Sequence, residues 1–145
     1  MKSRREDIKT EIDRILQSLE AELQTIASIK LILHTNLDRG RVEHFIGSDI
    51  RRVGEYVQRV LEHYIRLHSY IQLLQKDRTD EAWLPLFKHL QVWAYNFLIR
   101  KGFVPGLSTR AIAEECATEA ALRILDAHFP YDTDFEPWAH TTVIM

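Results

Sequence analysis

Residues 46–74 read IGSDIRRVGEYVQRVLEHYIRLHSYIQLL. Within them Ile46, Ile50, Val53, Val57, Val60, Tyr64, Leu67, Ile71 and Leu74 follow one another at alternating steps of four and three. An α-helix brings residues so spaced onto one side, and a β-strand scatters them over both faces. The stretch therefore predicts a long helix with an apolar seam of about four heptads, as in a helical hairpin or coiled coil. Ser48 is placed to cap a helix that starts there, leaving Val42 to Ile46 as a separate turn.

Upstream, Ile8, Ile12, Ile15, Leu19, Leu23, Ile26 and Leu33 also recur at helical spacing. They predict a helix from about Arg5 to His34, with solvated residues such as Glu11, Arg14 and Glu22 opposite. Residues 35–40 (TNLDRG) suit a turn, because Asn, Asp and Gly tolerate the dihedrals by which a chain leaves a helix. With so short a connection, the two helices are expected to form a long antiparallel hairpin over residues 1–76. The seam has two uses open to it: holding the hairpin together, or pairing with a second copy as a homodimer through residues 46–74. The matching stripe of the first helix favours the first use.

Downstream, Lys76 to Asp80 is polar and reads as a linker, with Asp80 as N-cap of a third helix reaching about Lys101. Pro85 is expected in its first turn, and its apolar face includes Leu84, Phe87, Leu90, Ala94, Phe97 and Leu98. Gly102 ends it. Ser108 or Thr109 is expected to cap a fourth helix running to about His128. Pro130 breaks the chain there, and Asp134 with Pro137 opens a short last helix. No strand is expected, so the fold class is all-α, with a second domain over residues 80–145.

Composition narrows the functional classes. The chain has 145 residues, 46% of them apolar and 28% charged, which suits one or two packed helical domains. Its single cysteine, Cys116, rules out an internal disulfide and fits a reducing cytoplasmic setting. Acidic neighbours disfavour the thiolate, so Cys116 reads as a small packing residue. No apolar run approaches the ~20 residues that span a bilayer, so no membrane association is expected. No apolar segment follows the basic Met1 to Arg5, and a secretory leader is not expected. Residues 1–80 hold 14 Lys and Arg against 13 Asp and Glu, and residues 81–145 hold 5 against 8. Neither part has the basic excess of a domain that grips nucleic acid mainly by its phosphates.

No HExxH pair, no Glu followed three residues later by His, no Gly-rich phosphate loop and no Gly-x-Ser-x-Gly elbow occurs. No catalytic residue, metal site or cofactor is therefore expected, and the chain does not read as an enzyme.

The remaining signal lies in residues 110–125, RAIAEECATEAALRIL, and residues 129–144, FPYDTDFEPWAHTTVI. Together with the aromatic-rich third helix, they resemble region 2 of the sigma-70 family of RNA polymerase sigma factors, most of all its short alternative, extracytoplasmic-function-like type. In that family a helix reading Ala-Glu-Asp-x-x-Gln-Glu-x-x-x-Arg precedes a loop with an aromatic and an Asp, and Phe-x-Pro-Trp opens the next helix. Ala113, Glu114, Glu119 and Arg123 match the first pattern, and Tyr131, Asp132, Phe135, Pro137 and Trp138 match the second. The resemblance covers about Trp83 to Met145. Glu115 stands where the family has Asp, Cys116 where it has an apolar residue, and Thr118 where it has Gln.

The resemblance implies a sigma region 2-like helical bundle and a role in transcription initiation. It implies a surface for core RNA polymerase, whose partner element is the coiled coil on the clamp of the largest subunit. Glu115, Thr118, Glu119 and Arg123 would form the polymerase-docking face. Glu115 and Glu119 are four apart and so share one side of the helix. Tyr131, Phe135 and Trp138 would form a structural corner between helices, with Trp138 an anchor of the core. The family's promoter-reading part lies beyond the matched segment, so promoter DNA binding is implied only if the chain continues past Met145. The alternative is a helical protein–protein interaction module, an adaptor with a region 2-like fold and no promoter recognition.

Overall fold

The computed structural model describes residues 3–144. They form seven α-helices and one 3-10 turn: α1 (Arg4–Gln17), α2 (Leu23–Asp38), α3 (Arg41–Ile46), the 3-10 turn Ile50–Arg52, α4 (Val53–Gln75), α5 (Asp80–Arg100), α6 (Leu107–Asp126) and α7 (Phe135–Ile144). The fold is all-α, as the sequence predicts, and no strand occurs among the described residues. Contacts divide the chain into two compact units. The first holds residues 1–66 and 130–133, and the second holds residues 67–129 and 134–145. The turn at 77–79 lies inside the second unit, and the division falls within α4.

The first unit departs from the expected single helix over residues 5–34. The chain leaves α1 at Ser18, whose backbone N–H and hydroxyl both donate to the Ile15 carbonyl, and re-enters a helix at Leu23. The hairpin is thus made by α1 and α2. Arg5 pairs with Asp38, and Asp13 meets His34 at 3.0 Å, which fixes them as antiparallel. No Gly or Pro marks this break. Its cause is tertiary: folding back buries Ile8, Ile12 and Leu16 of α1, with Ile29, Leu33 and Leu37 of α2, on facing sides. Helices of this length gain most of their stability from such packing rather than from local propensity. The register shift leaves Leu23, expected in the stripe, 86% exposed.

Local signals account for the other ends of this unit. Ser3 accepts from the Glu6 N–H at 3.2 Å and opens α1, with an acid at the third position as in a capping box. Gly40, at φ +76°, ends α2. Asp49 rather than Ser48 caps the 3-10 turn, accepting from the Arg51 N–H at 3.0 Å. The seam of α4 is largely covered within the chain: Val53, Val57, Val60, Ile71 and Leu74 are all buried. These residues serve the intramolecular use of the seam.

A polar network closes the unit. Asn36 is fully buried and donates to the Tyr56 hydroxyl at 3.0 Å and to the Pro130 carbonyl at 2.8 Å. The Tyr56 hydroxyl donates to Asp132 Oδ2 at 2.7 Å. Arg41 clamps the same carboxylate with two bonds, Nε to Oδ2 at 2.8 Å and Nη2 to Oδ1 at 2.6 Å. A buried carboxylate is stable only when paired and hydrogen-bonded, and here it has three donors. Burial, then the Asp132 charge, pushes the Tyr56 phenol well above the ordinary tyrosine range. The Asp132 hydrogen bond raises Arg41.

In the second unit, α5, α6 and α7 pack on one another. α5 buries Ala82, Leu86, Leu90, Ala94 and Leu98, all at steps of four. Leu84, expected on that face, is exposed. α6 buries Thr109, Ala113, Ala117, Ala120 and Ile124. Alanines here let the helix axes approach closely, and Ala94, Leu98 and Ala113 form a core with Tyr95, Cys116 and Val143 around it. Cys116 is a packing residue, as expected. Helix ends are satisfied from the side chains: Gln75 Nε2 donates to the Ile124 and Ala127 carbonyls at the end of α6, and Trp83 Nε1 to the Leu74 carbonyl at the end of α4. Gly102 closes α5 in a Schellman arrangement, with Phe103 N–H on Leu98 O and Gly102 N–H on Ile99 O. Three expected features shift. Thr79, not Asp80, is the N-cap of α5, Pro85 lies beyond the first turn, and α6 starts at Leu107 with Thr109 inside it, donating to the Val104 carbonyl.

Two predictions test the first unit. Asp132→Ala leaves Tyr56 and the half-exposed Arg41 without their acceptor and should cost about 2–3 kcal/mol in urea denaturation, while Tyr56→Phe should cost about 1 kcal/mol. An unchanged midpoint for Asp132→Ala would remove the network from the account of stability. The second prediction concerns alkali. Burial raises the phenols of Tyr56, Tyr131 and Tyr70 in the folded chain, whereas the unfolded chain releases these protons near pH ~10. Their contribution is intact below pH ~10 and is lost as pH rises beyond it. Part of the tyrosinate absorbance should then appear only together with loss of helix. Ionisation of all five tyrosines ahead of unfolding would contradict this.

Candidate functional site

The buried side of α6 is built largely on Ala113, Ala117 and Ala120, and this shapes what its outer side can do. A helix with a thin apolar face keeps the rest of its circumference open. Glu115, Thr118, Glu119 and Arg123 are all exposed. Glu115 and Glu119 stand one turn apart and make no ion pair among the described residues. Thr118 turns its hydroxyl back to the Glu114 carbonyl at 2.9 Å, the usual resting bond of a Thr inside a helix.

Arg123 is engaged differently from its neighbours. Its guanidinium donates to the Thr142 carbonyl at 3.2 Å, near the end of α7. The four residues expected to act together thus separate into an open set, Glu115, Thr118 and Glu119, and one residue bound to the neighbouring helix.

Two residues extend the open set. Ile112 and Leu122 are exposed at 37% and 59%, and the order 112, 115, 119, 122 follows steps of three, four and three. They lie on the same side of α6 as the two glutamates. The stripe therefore runs apolar, acidic, acidic, apolar. Its spacing was readable in the sequence, but exposure was not, because apolar residues at helical spacing are as readily core. A groove of 570 Å³ adjoins the stripe, lined by Phe87, Ala111, Glu114, Glu115 and Thr118. The Glu114 carboxylate accepts from Gln91 Nε2 at 3.3 Å, so it is tied to α5.

Two of the residues expected at the corner, Phe135 and Trp138, lie together in the second unit. Phe135 and Trp138 pack with Phe129 in a three-ring cluster, with centroids 5.1–5.8 Å apart, and Tyr70 meets Phe135 edge-on at 5.2 Å. Trp138 is half-buried there, in keeping with an anchoring role. Tyr131 belongs to the first unit, where its ring lies 5.4 Å from that of Tyr64.

Among the described residues, no group of three or more His, Cys, Asp or Glu is placed to hold a metal ion, and no helix is long and apolar enough to cross a membrane.

Because both glutamates are exposed and unpaired, Glu115→Lys with Glu119→Lys should leave the fold intact. The thermal midpoint should correspond to a change within about 0.5 kcal/mol, as for surface substitutions in general, with an unchanged helical circular dichroism spectrum. A cooperative loss of helix in the double variant would mean that the face supports the bundle. No protein-family model matches the chain, and no curated protein and no solved structure shows significant similarity to it.

Proposed function

We propose that this chain is a sigma-factor-like transcription initiation protein that binds core RNA polymerase through the outer face of α6. The observation that carries the reading is the open acidic pair Glu115 and Glu119, flanked by exposed Ile112 and Leu122, on the helix whose sequence resembles the family's polymerase-binding helix. The partner is the coiled coil on the clamp of the largest subunit, and the setting is cytoplasmic.

The chemistry of the face is that of a helix–helix dock. Two carboxylates one turn apart would meet basic side chains of a partner helix, setting register and speeding encounter. Apolar side chains at either end would be desolvated on binding and supply much of the affinity. Thr118 sits between the acids and can exchange its intrahelical bond for one to the partner. Arg123, held on α7, serves to fix α6 against α7 in this reading rather than to touch the polymerase. Promoter DNA enters the proposal only if the chain continues past Met145.

One observation favours the second reading, an adaptor that has a region 2-like helical unit without promoter recognition. Tyr131 and Asp132, both part of the resemblance, are buried in the first unit and so are occupied structurally.

Binding of the purified chain to bacterial core RNA polymerase tests both readings. The wild-type chain should bind, and the Glu115→Lys, Glu119→Lys variant should bind at least about tenfold more weakly, with Leu122→Ala also weakened. Equal binding by wild type and double variant would refute the docking face. No binding at micromolar concentration would refute the polymerase reading itself. Binding without any promoter-directed transcription would favour the adaptor.

A further inference from the structure

The first unit carries an open groove of 600 Å³ that the docking face does not use. Its wall includes Arg39, Arg41, His44, Phe45, Arg59 and Asp132. Asp132 is the only carboxylate among the residues that line it, and its charge is already met by Arg41 and the Tyr56 hydroxyl. Arg39 and Arg59 make no ion pair within 4.0 Å among the described residues, and the groove therefore holds surplus positive charge.

These cations are also positioned. Arg59 lies with its guanidinium carbon 5.0 Å from the centre of the Phe45 ring. Arg52, 4.6 Å from the same ring, is paired with Glu55 and bonded to the Phe45 carbonyl, so it holds the ring rather than the ligand. Phe45 packs in turn on Tyr56, with centroids 5.2 Å apart. Glu55 lies within the field of Arg59 but outside the groove lining. A guanidinium laid on an aromatic ring keeps its edge N–H groups free and loses little rotamer freedom on binding.

We propose that this groove binds a phosphate group, with Arg39 and Arg59 as its charged donors and His44 as a third polar contact. Arginine forks match the oxygen geometry of phosphate and give short charge-assisted hydrogen bonds. The volume suits a phosphorylated ligand of mononucleotide size or a short stretch of nucleic-acid backbone, two sources of one chemistry. The site belongs to the first unit and does not rest on the polymerase reading.

The test is calorimetric titration of the purified chain at low salt with pyrophosphate and, separately, with a short single-stranded oligonucleotide. Sodium chloride at matched ionic strength is the control, and Arg39→Ala with Arg59→Ala is the paired variant. Both arginines are exposed, so the variant should fold, and its circular dichroism is recorded alongside. Binding of either probe to the wild type, weakened at least about tenfold in the variant, is the expected result. Tighter binding of the oligonucleotide, falling steeply with salt, would assign the phosphate to nucleic acid. Pyrophosphate binding without oligonucleotide binding would assign it to a small phosphorylated ligand. Heats no larger than the chloride control, or equal binding by wild type and variant, would overturn the proposal.

Discussion

The carboxylate of Asp132 is the point on which the first unit depends. A charge removed from water must be met by donors close at hand, and the Arg41 guanidinium and Tyr56 hydroxyl that meet it come from parts of the chain distant from Asp132. Arg41 follows α2, Tyr56 lies in α4, and Asn36 completes the set by holding Tyr56 and the Pro130 carbonyl. Sequence separations of 76 to 94 residues divide these partners. The unit's apolar core is built from residues 8–60, yet its polar interior is satisfied only when residues 130–133 arrive. Contacts of such long range are the slow ones in folding, because loop closure must precede them. The α1–α2 hairpin, closed by a turn of five residues, is under no such constraint.

The second unit follows a different rule. α6 meets its neighbours largely through small residues, and Ala113, Ala117 and Ala120, with Ala94 of α5 and Ala139 of α7, are all buried. Small contact residues bring backbones together but cover little of each helix. Glutamates and even Leu122 therefore remain on the surface of α6, where a helix packed through leucines would have buried a broader face. Close packing inside and an open charged face outside are two consequences of one choice of residue.

Much of this was legible in the sequence. Helical periodicity identified α4 and α5, cap and proline signals placed α6 and α7, and Gly40 and Gly102 end helices where glycine is expected to. The break at Ser18 was not legible, since nothing local marks it and only the pairing of α1 with α2 produces it. The outer face of α6 was half legible. The spacing of Glu115 and Glu119 placed them together, but the engagement of Arg123 by α7 and the exposure of Ile112 and Leu122 depend on which side packs. The basic groove was not legible at all. Arg39, Arg41, His44 and Arg59 lie in two helices and a turn, and balanced overall charge conceals a local surplus that appears only when Asp132 is matched to Arg41.

Tyr131 shows how strongly the buried network is favoured. It adopts φ +60°, a left-handed conformation that costs a residue with a Cβ about 1–2 kcal/mol. Gly or Asn would take the position more cheaply, and neither is present. The turn instead places an aromatic ring against Tyr64 and, at the next residue, a carboxylate against Arg41 and Tyr56. A charged bidentate pair and a buried ring together outweigh a strain of that size. The aromatic-Asp pair that carries part of the resemblance to sigma region 2 therefore has a physical role of its own in this chain. Its presence is accounted for by the interior of the first unit, and the weight of the functional proposal falls on the outer face of α6.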